Sequence, residues 1–174
     1  ILSVGRIVKD KGVEEFCELA KQFKKYKVKF IYIGTYRDLD YYKYVLNKYS
    51  KYVIFPGNRL DVNSFYKSSY LFILLSKRES AGLVMAEAMN FGIPLIGWNV
   101  IGVNEIIKDR YNGYLIRYGD FEKLKKITKN LILNKKKHFN ISKNSFDSFK
   151  NFNIEESTDR LLKIFSEAKR SSYR

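Results

Sequence analysis

Residues 70–97 constrain the fold more strongly than any other stretch of the chain. They begin with an unbroken apolar run, 70–75, which is typical of a strand buried on both faces. A polar loop at 76–81 follows, then a segment of helical composition over 82–90 that Phe91-Gly92 ends. A second buried strand can then begin at residue 95, directly after Pro94. This order of strand, loop, helix and strand predicts parallel pairing through a right-handed crossover.

Two carboxylates stand out in this unit, Glu79 in the loop and Glu87 in the helix. Glu87 is the one charged residue within 82–96, so we expect it to be buried and to need a polar partner. The charge pattern leaves two partners open, a basic or backbone group of the protein and a pair of ligand hydroxyls. Free amides at the start of the helix form a ready anion site. Together these features favour a pocket for a sugar phosphate or a nucleotide.

The same residues resemble a known motif. Glu79-Ser80-Ala81-Gly82-Leu83, followed by Glu87-Ala88-Met89, is similar to the E-x7-E motif of the retaining glycosyltransferases of family 4, which have the GT-B fold. That motif is usually written E-G/S-F-G-L and then E-A-M, so Ala81 replaces a phenylalanine. The resemblance implies that Glu79 holds sugar hydroxyls, that Glu87 holds the ribose hydroxyls of the donor, and that Ser80, Ala81, Gly82 and Leu83 belong to the donor site.

A basic pair lies near the start of the chain. Gly5 and Arg6 follow a predicted strand over 1–4, and Lys11 and Gly12 precede a helix with one apolar face. Ligands of open α/β sheets bind outside the carboxyl ends of strands, so Arg6 and Lys11 are either a phosphate site or two exposed cations. The four residues match the family pattern V-G-R-x-x-x-x-K-G. The resemblance implies that Arg6 and Lys11 hold the donor diphosphate and act in catalysis with Glu79.

Three further loops match the family in part. Gly34 ends a predicted strand over 29–33, and Asn58, Arg59 and Leu60 follow a short strand over 52–55; the resemblance places both loops near the nucleotide base. Residues 102–107 resemble G-G-x-P-E-I-I, although Ile101 and Asn104 replace the first glycine and the proline. Glu105 of this loop is either a helix-start carboxylate or a ligand contact.

Other residues are assigned structural roles. Asp61 and Asp120 are predicted to cap helices, and Asn153 with Glu156 predicts a capping box before a final helix. Cys17 lies on an apolar helix face and is expected in the core. The single histidine, His138, follows a lysine run and is predicted to be a surface residue without a partner.

Composition limits the partners that the chain can have. The 174 residues carry a formal net charge of +15, which attracts polyanions or is spread over solvated helix faces. The basic runs 24–29 and 135–137 predict contact with an anionic membrane surface. A nucleic-acid-binding module is the alternative from another class, but no aromatic-basic recognition motif supports it. No His/Cys cluster has metal-ligand spacing, so no metal site is predicted.

These features predict an α/β fold, a Rossmann-like parallel sheet with helices on both faces. The resemblance implies that residues 1–174 are the nucleotide-sugar-binding C-terminal half of a GT-B enzyme. Because the first residue already lies in a strand-like run, we expect a preceding acceptor-binding domain, without which the chain is inactive.

The implied reaction moves a sugar from a UDP-, GDP- or ADP-sugar to an acceptor hydroxyl with retention and without a cofactor. We expect it to serve cell-surface polysaccharide or glycolipid synthesis, in the cytoplasm or at the inner membrane face. Another GT-B enzyme, such as a nucleotide-sugar epimerase, is the alternative among enzymes.

Overall fold

The structure is a computed structural model that describes residues 1–80 and 82–150. Within these residues six strands form one sheet, in which every pairing is parallel. The strands are β1 (Leu2–Val4), β2 (Phe30–Ile33), β3 (Val53–Ile54), β4 (Phe72–Leu74), β5 (Leu95–Trp98) and β6 (Gly113–Ile116). Their order is β3-β2-β1-β4-β5-β6, the order of the dinucleotide-binding folds. The predicted parallel α/β sheet is therefore confirmed.

Six helices and one short 3₁₀ turn connect the strands in the described part of the chain. The helices are α1 (Val13–Gln22), α2 (Leu39–Tyr49), α3 (Val62–Lys67), α4 (Leu83–Asn90), α5 (Phe121–Leu133) and α6 (Lys135–Lys150), and the 3₁₀ turn is Lys9–Lys11. The predicted capping box at Asn153 and Glu156, with the helix that it would begin, lies outside the described residues.

Helices cover both faces of the sheet, as predicted. Buried side chains of α1, α2 and α5, among them Phe16 and Leu124, pack on one face. Side chains of α3 and α4, among them Tyr66 and Met85, pack on the other. Along β4 the residues alternate between the two cores, with Ile73 on the first face and its neighbours on the second. This double burial explains why the strand is an uninterrupted apolar run.

Helix α6 begins at the lysine run before His138 and is separate from α5. One residue, Asn134, separates the two helices, and its side chain accepts a 2.9 Å hydrogen bond from the amide of Lys137. Helix α6 contacts the turn between α4 and β5 through polar side chains. Its Ser142 and Ser145 hydroxyls donate to the carbonyl oxygens of Gly92 and Ile93, at 2.6 and 2.8 Å, and so fix the turn between α4 and β5.

The prediction that His138 has no partner was wrong. On α6 its Nε2 lies 2.7 Å from the carbonyl oxygen of Tyr70, and its ring stacks on the Tyr70 ring with centroids 3.6 Å apart. Burial lowers the pKa of His138, while the carbonyl contact opposes that shift. The histidine therefore joins α6 to the chain just before β4.

The backbone segments that follow β1 and β2 approach each other closely at two glycines, Gly5 and Gly34. A Cβ atom at Gly34 would overlap the carbonyl oxygen of Gly5, whereas a Cβ atom at Gly5 would lie 3.5 Å from the Tyr32 hydroxyl, an ordinary contact. The Gly34 amide also donates to the Gly57 carbonyl at 3.1 Å, which joins the ends of β2 and β3. Position 34 therefore requires glycine for packing, whatever ligand lies nearby.

We expect Gly34→Ala to lower the free energy of unfolding by about 1–3 kcal/mol or more, since backbone must move to admit the methyl group. Gly5→Ala is the matched control, and its effect should stay within about 1 kcal/mol in either direction. Urea unfolding of the two variants measures both values. Equal losses would show that the close approach of the two segments does not determine the glycine at 34.

Candidate functional site

The candidate site lies where β1 and β4 end side by side. These strands are neighbours in the sheet although 68 residues separate the loops that follow them, and the order of strands along the chain reverses between them. In folds of this kind the loops at such a point diverge and leave a crevice. The loop after β1 carries Arg6 and Lys11, and the loop after β4 carries Glu79.

Lys11 and Glu79 meet across this crevice. The Lys11 ammonium nitrogen, Nζ, lies 2.7 Å from Oε2 of Glu79, and the two side chains are 18% and 14% exposed. The two loops are also joined by the backbone, since the Lys77 amide donates to the Asp10 carbonyl at 2.9 Å. The structure thus brings together two motifs that the sequence analysis singled out separately. A largely desolvated pair of this kind is stronger than one on the surface.

Arg6 lies at the mouth of the same crevice but outside this ion pair. Its side chain is exposed, and its carbonyl oxygen accepts a 3.4 Å hydrogen bond from the Tyr32 hydroxyl. The Ile7 amide donates to Thr35 at 2.7 Å, so the backbone at Arg6 is held against the loop after β2. The side chain of Arg6 is therefore open to solvent on a hydrogen-bonded backbone, which suits contact with a ligand arriving from solvent.

The amino end of α4 opens beside Glu79. Gly82 is buried with φ +55°, and a Cβ atom there would lie 2.5 Å from Cε of Met85 and 2.7 Å from Cδ1 of Ile106. Among the described residues no side chain caps this helix. The anion site predicted at this helix start therefore stays a prediction, consistent with the uncapped end. Both Leu83 and the preceding Ser80 are exposed. Ala81 is not among the described residues.

Glu87 is exposed, which contradicts the expectation that it is buried. Its Oε2 nevertheless has a partner, because the Tyr66 hydroxyl lies 2.8 Å away and also 3.2 Å from the carbonyl oxygen of Val84. Burial and the Glu87 carboxylate raise the pKa of Tyr66, so the phenol stays protonated and donates. Neither partner weighed for Glu87 in the sequence analysis was a tyrosine, and Tyr66 is the site residue that the sequence analysis missed. Tyr66 lies in α3, a short helix of mixed composition, and nothing in that sequence indicates a contact with Glu87.

The loop after β3 presents its side chains to solvent. Asn58, Arg59 and Leu60 are all exposed, and Arg59 makes a two-point contact with Asp61, at 2.8 Å from Nε to Oδ1 and 3.0 Å from Nη2 to Oδ2. This contact lowers the pKa of Asp61. It also corrects the prediction that Asp61 caps α3: no hydrogen bond from its side chain caps that helix in the described structure.

The loop after β5 packs against the backbone of Glu79. Gly102 has φ +82°, and a Cβ atom there would overlap the Glu79 carbonyl oxygen. One glycine therefore suffices for close approach where the family pattern has two. Of the two alternatives for Glu105, the helix-start role does not apply, since residues 101–106 form turns and Glu105 is exposed.

Two other features are absent from the described residues. No group of three or more His, Cys, Asp or Glu side chains in residues 1–80 and 82–150 is arranged to hold a metal ion. None of the helices described has the length and apolar composition needed to cross a bilayer.

Comparison with known proteins identifies the family. Residues 1–147 match the model of the family described as glycosyl transferases group 1, and the chain belongs to that family. It is 33% identical over 133 residues to the capsular polysaccharide biosynthesis glycosyltransferase CapM of Staphylococcus aureus, covering 71% of this chain and 35% of that protein. It is 28% identical over 174 residues to the UDP-Gal:alpha-D-GlcNAc-diphosphoundecaprenol alpha-1,3-galactosyltransferase of Escherichia coli, covering 93% of this chain and 44% of the relative. The chain thus spans less than half the length of either protein.

Solved structures show the same fold. The C-terminal domain of a glycosyl transferase group 1 family protein (LpcC) from Francisella tularensis is 28% identical, with a TM-score of 0.79 over 88% of this chain and 86% of that domain. Alr3699/HepE of Anabaena matches with a TM-score of 0.86 at 22% identity, over 95% of this chain and 48% of that one. The fold expected from the family resemblance, that of a C-terminal GT-B domain, is therefore confirmed.

We expect the Lys11–Glu79 contact to be energetically coupled by about 1–3 kcal/mol, because both groups are largely shielded from water. A double-mutant cycle with Lys11→Met and Glu79→Gln, measured by urea unfolding, gives this value. The control is the Lys125–Glu122 pair on α5, which has the same 2.7 Å separation but is 36% and 80% exposed. Its coupling should not exceed about 0.5 kcal/mol. Equal coupling in the two pairs would contradict the shielding inferred for the site.

Proposed function

We propose that this chain is the donor-binding domain of a retaining glycosyltransferase that transfers a sugar from a nucleoside-diphosphate sugar to an acceptor hydroxyl. The observation that carries the proposal is the shielded contact of Lys11 with Glu79 beside the uncapped start of α4. It places a cation, a carboxylate and free amides in one crevice. A sugar diphosphate offers the complementary groups, namely an anion joined to a polyol.

Donor binding then exchanges partners within the crevice. The diphosphate takes the Lys11 ammonium away from Glu79, and the exposed Arg6 closes on it from solvent. The first amides of α4 add their dipole. Glu79, released by Lys11, accepts hydrogen bonds from the sugar hydroxyls. In the transfer step these positive groups stabilise the charge that develops on the leaving diphosphate. They take the part that a metal plays in other enzymes, so we propose that the reaction needs no metal.

The nucleoside lies along the same edge of the sheet. Glu87, oriented by Tyr66, accepts from the ribose hydroxyls. Gly34 and the exposed loop of Asn58, Arg59 and Leu60 follow β2 and β3 and border the base. Since β3, β2, β1 and β4 are consecutive in the sheet, the loops proposed for the base, the phosphates and the sugar follow one another along one end of the sheet.

The relatives support a nucleotide-sugar donor and a role in cell-surface polysaccharide or glycolipid synthesis. The Anabaena structure contains UDP and glucose, the E. coli relative is named for UDP-Gal and a diphosphoundecaprenol acceptor, and the S. aureus relative for capsular polysaccharide. We propose that the acceptor site lies on a separate domain of the whole protein, as the GT-B arrangement implies. Titration calorimetry against UDP-, GDP- and ADP-sugars, with and without a chelator, tests the donor; failure of all three would refute the proposal.

We expect Lys11→Ala to weaken binding of a nucleoside diphosphate by about 1.5–3 kcal/mol and to leave the bare nucleoside unaffected, because Lys11 contacts the phosphates alone. Lys9→Ala removes an exposed lysine from the same 3₁₀ turn and is the matched control. Calorimetry of both variants with both ligands measures the difference. Equal loss for nucleoside and diphosphate would exclude a phosphate role for Lys11.

We expect Glu87→Gln to weaken ribonucleotides more than their 2′-deoxy forms, by about 1–3 kcal/mol, since the carboxylate accepts from the ribose hydroxyls. Tyr66→Phe should reduce the same preference partly, because it frees Glu87 to rotate. Glu87 is exposed, so the Glu87→Gln variant is expected to remain folded. If both ligand forms lose affinity equally, the ribose role of Glu87 is wrong.

A further inference from the structure

A second concave surface lies beside the amino end of β6. The Lys11–Glu79 pair lies at the other end of the sheet, where the strands have their carboxyl ends. The second surface is a groove of about 960 Å³ between the end of α1, the entry to β6 and α5. Asp109 and Arg110, which directly precede β6, form part of its wall. We call it the basic groove after its seven cationic residues, which are Lys25, Arg110, Lys123, Lys125, Lys126, Lys129 and Lys137. The donor site proposed above does not involve it, and two of its lysines, Lys25 and Lys137, belong to the basic runs predicted from the sequence to contact an anionic membrane.

The charge of the basic groove is far from balanced. Two carboxylates, Asp109 and Glu122, face the seven cations. In the described part of the chain Glu122 lies 2.7 Å from Lys125, and Asp109 makes a looser 3.7 Å contact with Arg110. A second groove of about 610 Å³ continues along α5 and shares Lys126 and Lys129 with the first. The excess positive charge is thus spread over a long surface and not gathered at one point.

The wall of the basic groove also contains apolar and aromatic groups, among them Phe23, Tyr26 and Tyr114. The ammonium of Lys137 lies 5.3 Å from the centre of the Tyr114 ring, which holds this charge at the groove surface. Two large apolar side chains of α5 and α6 are exposed to solvent: Leu133, which lines the second groove, is 62% exposed, and Phe139, two residues after Lys137, is 68% exposed.

We propose that the basic groove and its continuation along α5 bind the anionic lipid headgroups of a membrane surface, with Leu133 and Phe139 entering the interface between headgroups and acyl chains. Six of the seven cations are lysines, which act as point charges and lack the two-pronged geometry that fixes one phosphate. A diffuse anionic surface needs only charge at close range. Exposed apolar side chains among lysines are the further feature of segments that lie in a membrane interface.

The test measures partitioning of the protein onto sedimenting vesicles. Vesicles of phosphatidylcholine with about one third phosphatidylglycerol should bind the protein, and vesicles of phosphatidylcholine alone should not. Binding should fall as salt is raised from about 0.1 M to about 0.5 M, because the charges are screened. Glycerol 3-phosphate is added as a soluble phosphate ester, and a duplex oligonucleotide as another polyanion.

Three multiple-substitution variants distinguish the contribution of the groove residues to vesicle binding from the effect of net charge alone. Lys126→Gln/Lys129→Gln/Lys137→Gln should reduce the partition coefficient about a hundredfold, at roughly fivefold for each lysine. The control variant, Lys43→Gln/Lys51→Gln/Lys67→Gln, removes three exposed lysines from α2, from the turn after it and from α3, and changes the net charge by the same amount. It should reduce the partition coefficient less than about fivefold. Leu133→Ser/Phe139→Ser should reduce it by about tenfold.

Four results would overturn the proposal. They are equal effects of the two lysine triples, equal binding to both kinds of vesicle, release by glycerol 3-phosphate at concentrations that leave ionic strength unchanged, and tighter binding to the oligonucleotide than to vesicles. The third would assign the groove to a free phosphate ester and the fourth to a nucleic acid. Nucleotide binding should be unchanged in both triples, so this test stands apart from that of the proposed function.

Discussion

The contact between Lys11 and Glu79 is the interaction on which the site depends. It joins loops that are 68 residues apart in sequence and adjacent only because β1 and β4 pair in the centre of the sheet. The strand order therefore determines the chemistry available at the edge. If β4 were not a neighbour of β1 in the sheet, the loops that carry the cation and the carboxylate would not meet beside the uncapped start of α4.

Close backbone contacts hold this edge in place. Gly12 lies against the carbonyl oxygen of Leu75, Gly102 against that of Glu79, and Gly34 against that of Gly5, and at each position a Cβ atom would overlap its neighbour. The three contacts stack the loops after β1, β2, β4 and β5 without intervening side chains. Since packed backbone deforms little, the functional side chains start from fixed points even where, as at Arg6, the side chain itself is exposed.

Much of this arrangement follows from local sequence. The unbroken apolar run over 70–75 predicts a strand covered on both faces, and the spacing from Glu79 to Glu87 predicts a loop carboxylate and a helix carboxylate beside one helix start. What could not be predicted depends on contacts between distant segments. The apolar residues around Glu87 suggested burial, but the carboxylate is on the solvent side of α4 and its partner, Tyr66, comes from α3. His138 follows a lysine run that signals solvent, yet α6 turns its ring onto Tyr70. Short-range patterns carry no information about which helix faces which.

The mutual pairing of Lys11 and Glu79 also sets a condition on any ligand of the crevice. A free anion that captured Lys11 would leave a half-buried carboxylate unpaired, and a free polyol that captured Glu79 would leave an ammonium unpaired. Each fragment alone therefore competes against an internal contact that it replaces only in part. A molecule that carries anion and polyol together replaces both halves at once. Under the proposed function, the Lys11–Glu79 ion pair therefore favours a ligand that offers both groups over one that offers either alone.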